Sequence, residues 1–340
     1  MRKPKFENLL KVLRREIPDR PTLFEFALND RLHRRLSGLT DLPLPAERPA
    51  YYRMLIAAYR AAGYDYAMVD GSGLWFPTND LHWERGATIS LNAGAIITDR
   101  ASFDAYRWPD PQPRDYAALD DTAVELPDGM KFVVKGPGGV LENVILLTGF
   151  DNFCLMLADD PALVSDLFEA VGRRMVRHYE LAVCHKAVGA CISNDDWGFK
   201  TQTMISVADM RRYVFPWHRR IVEAVHAAGQ PVMLHSCGAA REVMDDIIDN
   251  LGYDGKHSFE DVIQPVEEAY RQYGGRIAIL GGMDIDFLVR AAIPDIRRRA
   301  QAMLDLAGTR GGYALGTGNS VPEYIPDEKF LALIGTATGL

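Results

Sequence analysis

His235 and Cys237 stand two residues apart where the apolar run Pro231–Leu234 gives way to Ser236 and Gly238. The run reads as a short buried strand. Residues two apart on a strand point to the same side, so both side chains project together from its end. An imidazole nitrogen and a thiolate form a strong donor pair for zinc. A buried cysteine is just as often a small hydrophobe, so the pair gains weight only if further donors converge on it.

Those donors occur at comparable places. Glu25, Asp70, Lys135, Glu142, Asn194, Asp195, Asp196, His257, Asp284 and Asn319 each fall at or just beyond the end of an apolar run. Glu25 lies between Phe24 and Phe26, and an acid inside a strand is seldom buried without a partner. It is expected to face a site, with Asp70, Asp195 and Asp196 as the other candidate catalytic acids. Lys135, Asp284 and Asn319 are the candidate substrate-binding groups, and His257 joins His235 and Cys237 as a candidate metal ligand. Plainer roles stand beside these. Asp195 or Asp196 and Asp284 suit helix capping, Asp70 before Gly71 suits a turn, Lys135 suits a solvated strand end, and His257 suits a hydrogen-bonded structural role. Cys154, Cys184 and Cys191 read as inert core thiols. His178, His185, His218 and His226 read as solvated or structural positions on helices.

The elements that must position these groups alternate. Strands are expected at 21–27, 64–70, 131–137, 189–196, 231–237, 253–259, 276–284 and 312–318. Helices are expected at 5–16, 48–62, 141–158, 161–187, from Ser206 to about 228, up to 250, at 265–273, at 286–306 and after Pro326-Asp327. Strands alternating with helices predict a parallel α/β architecture. Eight such strands predict a closed (β/α)8 TIM barrel, with an open doubly wound sheet as the competing arrangement. In a barrel, residues at the C-terminal strand ends share one mouth. One domain spans 1–340, and the irregular, Trp- and Pro-containing stretch 74–130 reads as a cap over that mouth. Trp75, Phe76, Trp83 and Trp108 are its candidates to line the entrance, although aromatic residues in a cap are more often just packing.

The chain has 340 residues, is 48% hydrophobic, and carries a net charge of −8. That size and apolar content can bury a large core, and the acidic balance argues against nucleic-acid binding. No apolar run reaches membrane-spanning length, and residues 1–8 lack the apolar segment of a secretory signal. Four scattered cysteines are not a disulfide framework. The expectation is a cytoplasmic protein with reduced thiols and no membrane partner.

Several stretches together resemble the uroporphyrinogen decarboxylase superfamily. They are Asp195-Asp196-Trp197-Gly198, Ile205-Ser206 before a helix containing Pro216, Ala227 through His235-Ser236-Cys237-Gly238, Gly281-Gly282-Met283-Asp284, and Gly318 through Pro326. The resemblance covers most of the chain and is strongest from about 130 to 330. It implies a (β/α)8 barrel with its site at the C-terminal mouth, and, from the decarboxylases, a homodimer. True decarboxylases of this superfamily carry an arginine-rich segment, Met-Arg-Gln-Ala-Gly-Arg, after the first strand to hold a polycarboxylate. Here that place reads Phe24-Glu25-Phe26-Ala27-Leu28-Asn29.

The superfamily's other branch implies zinc held by His-x-Cys on the fifth strand and a cysteine after the eighth. It also implies methyl transfer between a small methylated molecule and cobalamin on a corrinoid partner protein. His235 and Cys237 match the first part of that pattern, whereas the third position is Asn319. A carboxylate from Glu25, Asp195 or Asp196, or the imidazole of His257, then completes the site, or the metal is held weakly or lost. The resemblance thus implies a corrinoid-linked methyltransferase or demethylase. The rival readings are a metal-independent decarboxylase, with Asp70 or Asp195 as its acid, and a non-catalytic tetrapyrrole-binding barrel.

Overall fold

Parallel strands buried on both faces read as nearly continuous apolar runs, and seven of the eight expected runs form one sheet. A computed structural model describes residues 2–39, 43–78 and 90–339. The strands are β1 (Tyr66–Val69), β2 (Lys131–Lys135), β3 (Val188–Asn194), β4 (Val232–His235), β5 (Gly255–His257), β6 (Ala278–Leu280) and β7 (Tyr313–Ala314). They lie in chain order, β1 to β7, with every neighbouring pair parallel. Helices fill the connections, which is the arrangement parallel pairing requires.

The expected first strand is the exception. Within 21–27 only Leu23 bridges, in parallel, to Leu315 beyond β7. Phe24 N–H donates to Leu315 O at 2.8 Å, and Leu315 N–H donates to Thr22 O at 2.8 Å. On its other side the segment meets β1 through a side chain. Glu25 N–H donates to the Tyr66 hydroxyl at 2.7 Å, and that hydroxyl donates to Glu25 O at 2.8 Å. A phenol thus occupies the place of a backbone ladder, and no ladder joins this segment to β1 among the described residues. The expectation of eight laddered strands is corrected to seven plus a bridged segment.

Register matters more than strand length. Asn194 is level with His235, and His235 with His257, across β3, β4 and β5. The residues that follow these three therefore leave the sheet at one height.

Two expected helices are broken. A single helix over 141–158 becomes Val140–Thr148 and Phe150–Asp159, bent by 97° at Gly149, whose φ is +75°. The helix over 286–306 becomes Ile285–Arg290 and Ile293–Gly308. The helix Asp30–Ser37, capped by Asn29 on Leu32 N–H, was not expected. The helix expected up to 250 is reduced to the short turns Arg241–Val243 and Asp246–Leu251. No single helix among the described residues is long and apolar enough to cross a membrane. The bent pair just named passes that test only when its two halves are taken together.

In 74–130, Phe76 is fully buried and meets Trp108 edge-on at 6.4 Å. Trp108 also packs on Phe103 and Tyr106 and lies under the Arg174 guanidinium. Both are packing residues, the commoner role of aromatic side chains in such a cap, and do not line the entrance. Trp75 remains 46% exposed, and Trp83 lies outside the described residues. Cys191 is a buried thiol as expected, but Cys154 and Cys184 are exposed.

Candidate active site at the strand ends

Two glycines bring the loops after β3 and β4 into backbone contact. A Cβ on Gly238 would sit 1.9 Å from Gly198 O, and Gly238 holds φ at +83°, a conformation that favours glycine. Gly198 N–H donates to Cys237 O at 3.2 Å, and Ala239 N–H donates to Phe199 O at 2.7 Å. This approach carries Asp196 to Cys237, whose N–H donates to Asp196 Oδ1 at 2.9 Å. Side-chain donor atoms of Asp196, His235 and Cys237 then lie within 4.8 Å of one another. Cys237 Sγ is 3.5 Å from His235 Nε2, and Asp196 Oδ1 is 4.0 Å from the same nitrogen.

The tautomer of His235 follows from its neighbours. His257 Nε2 is 3.0 Å from Thr317 O, and a carbonyl only accepts, so Nε2 carries the hydrogen. Burial holds the His257 pKa down at about 3, so the ring is neutral and its Nδ1 is a bare acceptor. His235 Nδ1, 2.7 Å away, must donate to it. Burial also keeps the His235 ring neutral, with the neighbouring His257 and Lys256 acting the same way. His235 Nε2 is left with a lone pair directed at Cys237 and Asp196. Phe26 stacks on the His235 ring at 4.0 Å and 12° and fixes its plane.

Both nitrogens of His257 are therefore engaged. It stands behind His235 and offers no lone pair to the cluster, which corrects the expectation of a ligand. Asn319 does reach the cluster. Its Oδ1 accepts from Ser320 N–H at 2.7 Å, which turns its Nδ2–H2 toward Cys237 Sγ at 3.2 Å. Burial pushes the Cys237 thiol well up, as does the charge of Asp196, while the hydrogen bonds from Ser258 and Asn319 act in the opposite sense.

The remaining expected site residues divide. Asp195 is fully buried and accepts Leu141 N–H at 3.0 Å, Glu142 N–H at 2.9 Å, and His218 Nε2 at 2.8 Å. It anchors the first turn of the helix Val140–Thr148 and is not a free acid. Asp284 caps its helix through Phe287 N–H at 2.8 Å, and its other oxygen takes Asp261 N–H at 2.9 Å. Both of its oxygens accept from backbone N–H groups, so it fills the capping role that the sequence also offered.

Glu25 is fully buried. Its Oε2 takes Thr317 N–H at 3.2 Å and its Oε1 meets the Thr317 hydroxyl. Burial raises its pKa to about 8, against the Thr317 hydrogen bonds. The neutral acid donates to Thr317 Oγ1, which donates on to Asn319 O. Glu25 thus faces the wall behind the site and not the mouth. Asp70 and Lys135 pair at 3.0 Å, partly exposed at the rim, and Lys135 Nζ lies 5.8 Å from the Phe26 ring centre.

One carboxyl was underrated in the sequence. Glu142 follows Asp196 into the site. Burial pushes its pKa well up, as do the charges of Asp196 and Asp195. Its Oε2 is buried without a hydrogen-bond partner among the described residues. Its place beyond a strand end put it among the converging groups, but an acid in the first turn of an apolar helix is unremarkable, and nothing in the sequence shows that its carboxyl is isolated.

A parallel sheet with its donors gathered at the C-terminal strand ends defines an α/β protein with its site at the sheet's C-terminal edge. The chain belongs to the uroporphyrinogen decarboxylase (URO-D) family, whose pattern matches residues 96–340. A protein named uroporphyrinogen decarboxylase from Anaeromyxobacter sp. (strain Fw109-5) is 27% identical over 266 residues, covering 75% of this chain and 74% of the relative. Another of that name from Bacillus mycoides (strain KBAB4) is 33% identical over 157 residues, 45% of this chain and 41% of the relative. Among solved structures, a methyltransferase from Methanosarcina mazei has a similar fold. Its TM-score is 0.69 at 15% identity, covering 98% of this chain and 97% of that one.

Proposed function

We propose that this protein moves a methyl group between a small molecule and a cobalamin-bearing partner protein, at a zinc centre held by Asp196, His235 and Cys237. The observation that carries the reading is the convergence of these three donors within 4.8 Å. One of them is a histidine whose Nε2 lone pair is set free by the hydrogen bond on its Nδ1. One imidazole, one thiol and one carboxylate suit zinc, and three protein ligands leave a position open, as in catalytic sites. Zinc held there would supply Lewis acidity that makes the heteroatom bearing the methyl group a better leaving group toward a cobalt(I) corrinoid.

The chain's own residues do the rest. His257 fixes the His235 tautomer, a role that outer-shell partners of metal-binding histidines commonly fill. The Asn319 amide donates to Cys237 Sγ and favours its anionic form. Trp75 and Phe199, 46% and 40% exposed, line a cavity beside Asp196 and leave apolar surface at its rim for a corrin face to cover. In this reading the sheet is a (β/α)8 barrel closed through residues 21–27.

The test is zinc loading followed by incubation with cob(I)alamin and candidate methyl donors, read by elemental analysis and by the cobalamin spectrum. Stoichiometric zinc that His235→Ala and Cys237→Ser abolish, with cobalamin methylation that follows the zinc, is the expected result. Protein that holds no zinc after loading overturns the reading.

The names of the curated relatives favour a second reading, metal-independent decarboxylation. Against it, the place where a polycarboxylate would need arginines holds Phe24 to Asn29, with Glu25 buried and neutral. CO2 release that survives His235→Ala would put this reading first.

A further inference from the structure

A cavity of about 550 Å³ opens beside Asp196. Its walls are mostly apolar, built by Trp75, Leu91, Ile145, Leu146, Phe199 and Met204, with Ser90 and Asn143 the neutral polar residues among them. Trp75, Leu91 and Phe199 are each at least 40% exposed to water. Against this lining stands the carboxyl of Glu142, with its buried Oε2 unpartnered among the described residues. A buried polar atom left unpaired is destabilising, and bare apolar walls gain by being covered. Both features are relieved by one kind of occupant.

We propose that this cavity seats the methyl-bearing substrate, and that the substrate is a compact, mostly apolar molecule with a hydroxyl group that hydrogen-bonds Glu142. The inference rests on the methyl-transfer reading for its biological sense, though not for its measurement. A hydroxyl both donates and accepts, so it pairs with this carboxyl in either protonation state. The volume falls within the range of small-molecule pockets, where apolar walls supply affinity and a few polar groups fix orientation. Asp196 lines the cavity and also belongs to the donor cluster, so a ligand held by Glu142 lies against the proposed metal centre. A polyanion is a poor occupant. It would meet the acids Glu142 and Asp196, with no cation in the lining among the described residues.

Calorimetric titration of zinc-free protein tests this with two probes, 4-methoxyphenol and 4-methoxytoluene, which differ in the hydroxyl. The wild type is expected to bind the phenol about tenfold more tightly, the discrimination of a single well-placed hydrogen bond. Glu142→Leu should bind both probes equally. Leu146→Trp, which fills the half-buried wall, should bind neither while its melting temperature stays close to that of the wild type. Equal binding of the two probes by the wild type, a preference that survives Glu142→Leu, or unchanged binding by Leu146→Trp would each overturn the proposal. Because no metal or corrinoid is present, a hydroxyl preference in protein that never loads zinc would sink the methyl-transfer reading alone. Zinc loading without a preference would sink only this one.

Discussion

His235 donates its Nδ1 hydrogen to Nδ1 of His257 across 2.7 Å, and His257 passes its own Nε2 hydrogen to Thr317 O at 3.0 Å. The two hydrogen bonds fix one tautomer of His235 and aim its Nε2 lone pair at Cys237. Removing the relay should therefore weaken metal binding without removing a ligand. His257→Leu is expected to lower zinc affinity by about 10–100-fold, the usual cost of losing such a partner, in a chelator competition. His257→Gln, whose amide accepts from His235 and donates to Thr317, should stay within a few-fold of the wild type. Equal affinity in the leucine variant would show that His235 needs no relay.

Asn319 reaches Cys237 Sγ with its amide at 3.2 Å. A cysteine there would bring a second sulfur to the cluster. Asn319→Cys, kept reduced, should bind zinc at least about tenfold more tightly, since thiolate is a better zinc ligand than an amide. With cobalt(II) in place of zinc, its sulfur-to-metal charge-transfer absorption should be roughly double that of the wild type. An unchanged absorption would place residue 319 outside the coordination sphere.

Asp195 and Asp196 are adjacent in sequence but opposite in role. Asp195 is fully buried on two helix N–H groups and His218, whereas the Asp196 side chain is 41% exposed beside the metal donors. Asp195→Ala should cost about 2–4 kcal/mol by leaving several buried partners unsatisfied, seen as a lower midpoint in urea. Asp196→Ala should move that midpoint by less than about 1 kcal/mol and reduce zinc affinity instead. If both variants unfold alike, the division of labour is wrong.

The contrast within this pair shows where the sequence stops being legible. His235 and Cys237 were readable because strand alternation is local, and seven of eight strands were readable because buried parallel strands are apolar throughout. Which of two neighbouring acids turns inward depends on the contact between Gly198 and Gly238, and that contact joins loops about forty residues apart. Glu25 was misread for a related reason. Its burial between two phenylalanines is local, but its partner, Thr317, comes from the far end of the chain. Glu142 shares the strand-end placement of the other groups, but its isolation is a property of the cavity and has no signal in the sequence.

Glu25 also makes stability depend on pH in a definite direction. Burial raises its pKa from 4.5 in a model carboxyl to about 8 in the folded protein. The folded state therefore keeps a proton that the unfolded chain releases. The stabilisation this proton provides is fully present below about pH 4.5 and is lost as pH rises to about 8, at up to roughly 1.4 kcal/mol per pH unit. Glu25→Gln keeps a neutral group that can pair with Thr317 and has no proton to lose. The stability of the glutamine variant minus that of the wild type should therefore grow between pH 5 and 8 and level off above that. Urea unfolding of the two proteins at half-unit pH steps gives this difference directly, free of titrations they share. Parallel curves across the whole range would mean that Glu25 is ionised where it lies, and that the Glu25–Thr317–Asn319 chain carries its charge instead of its proton.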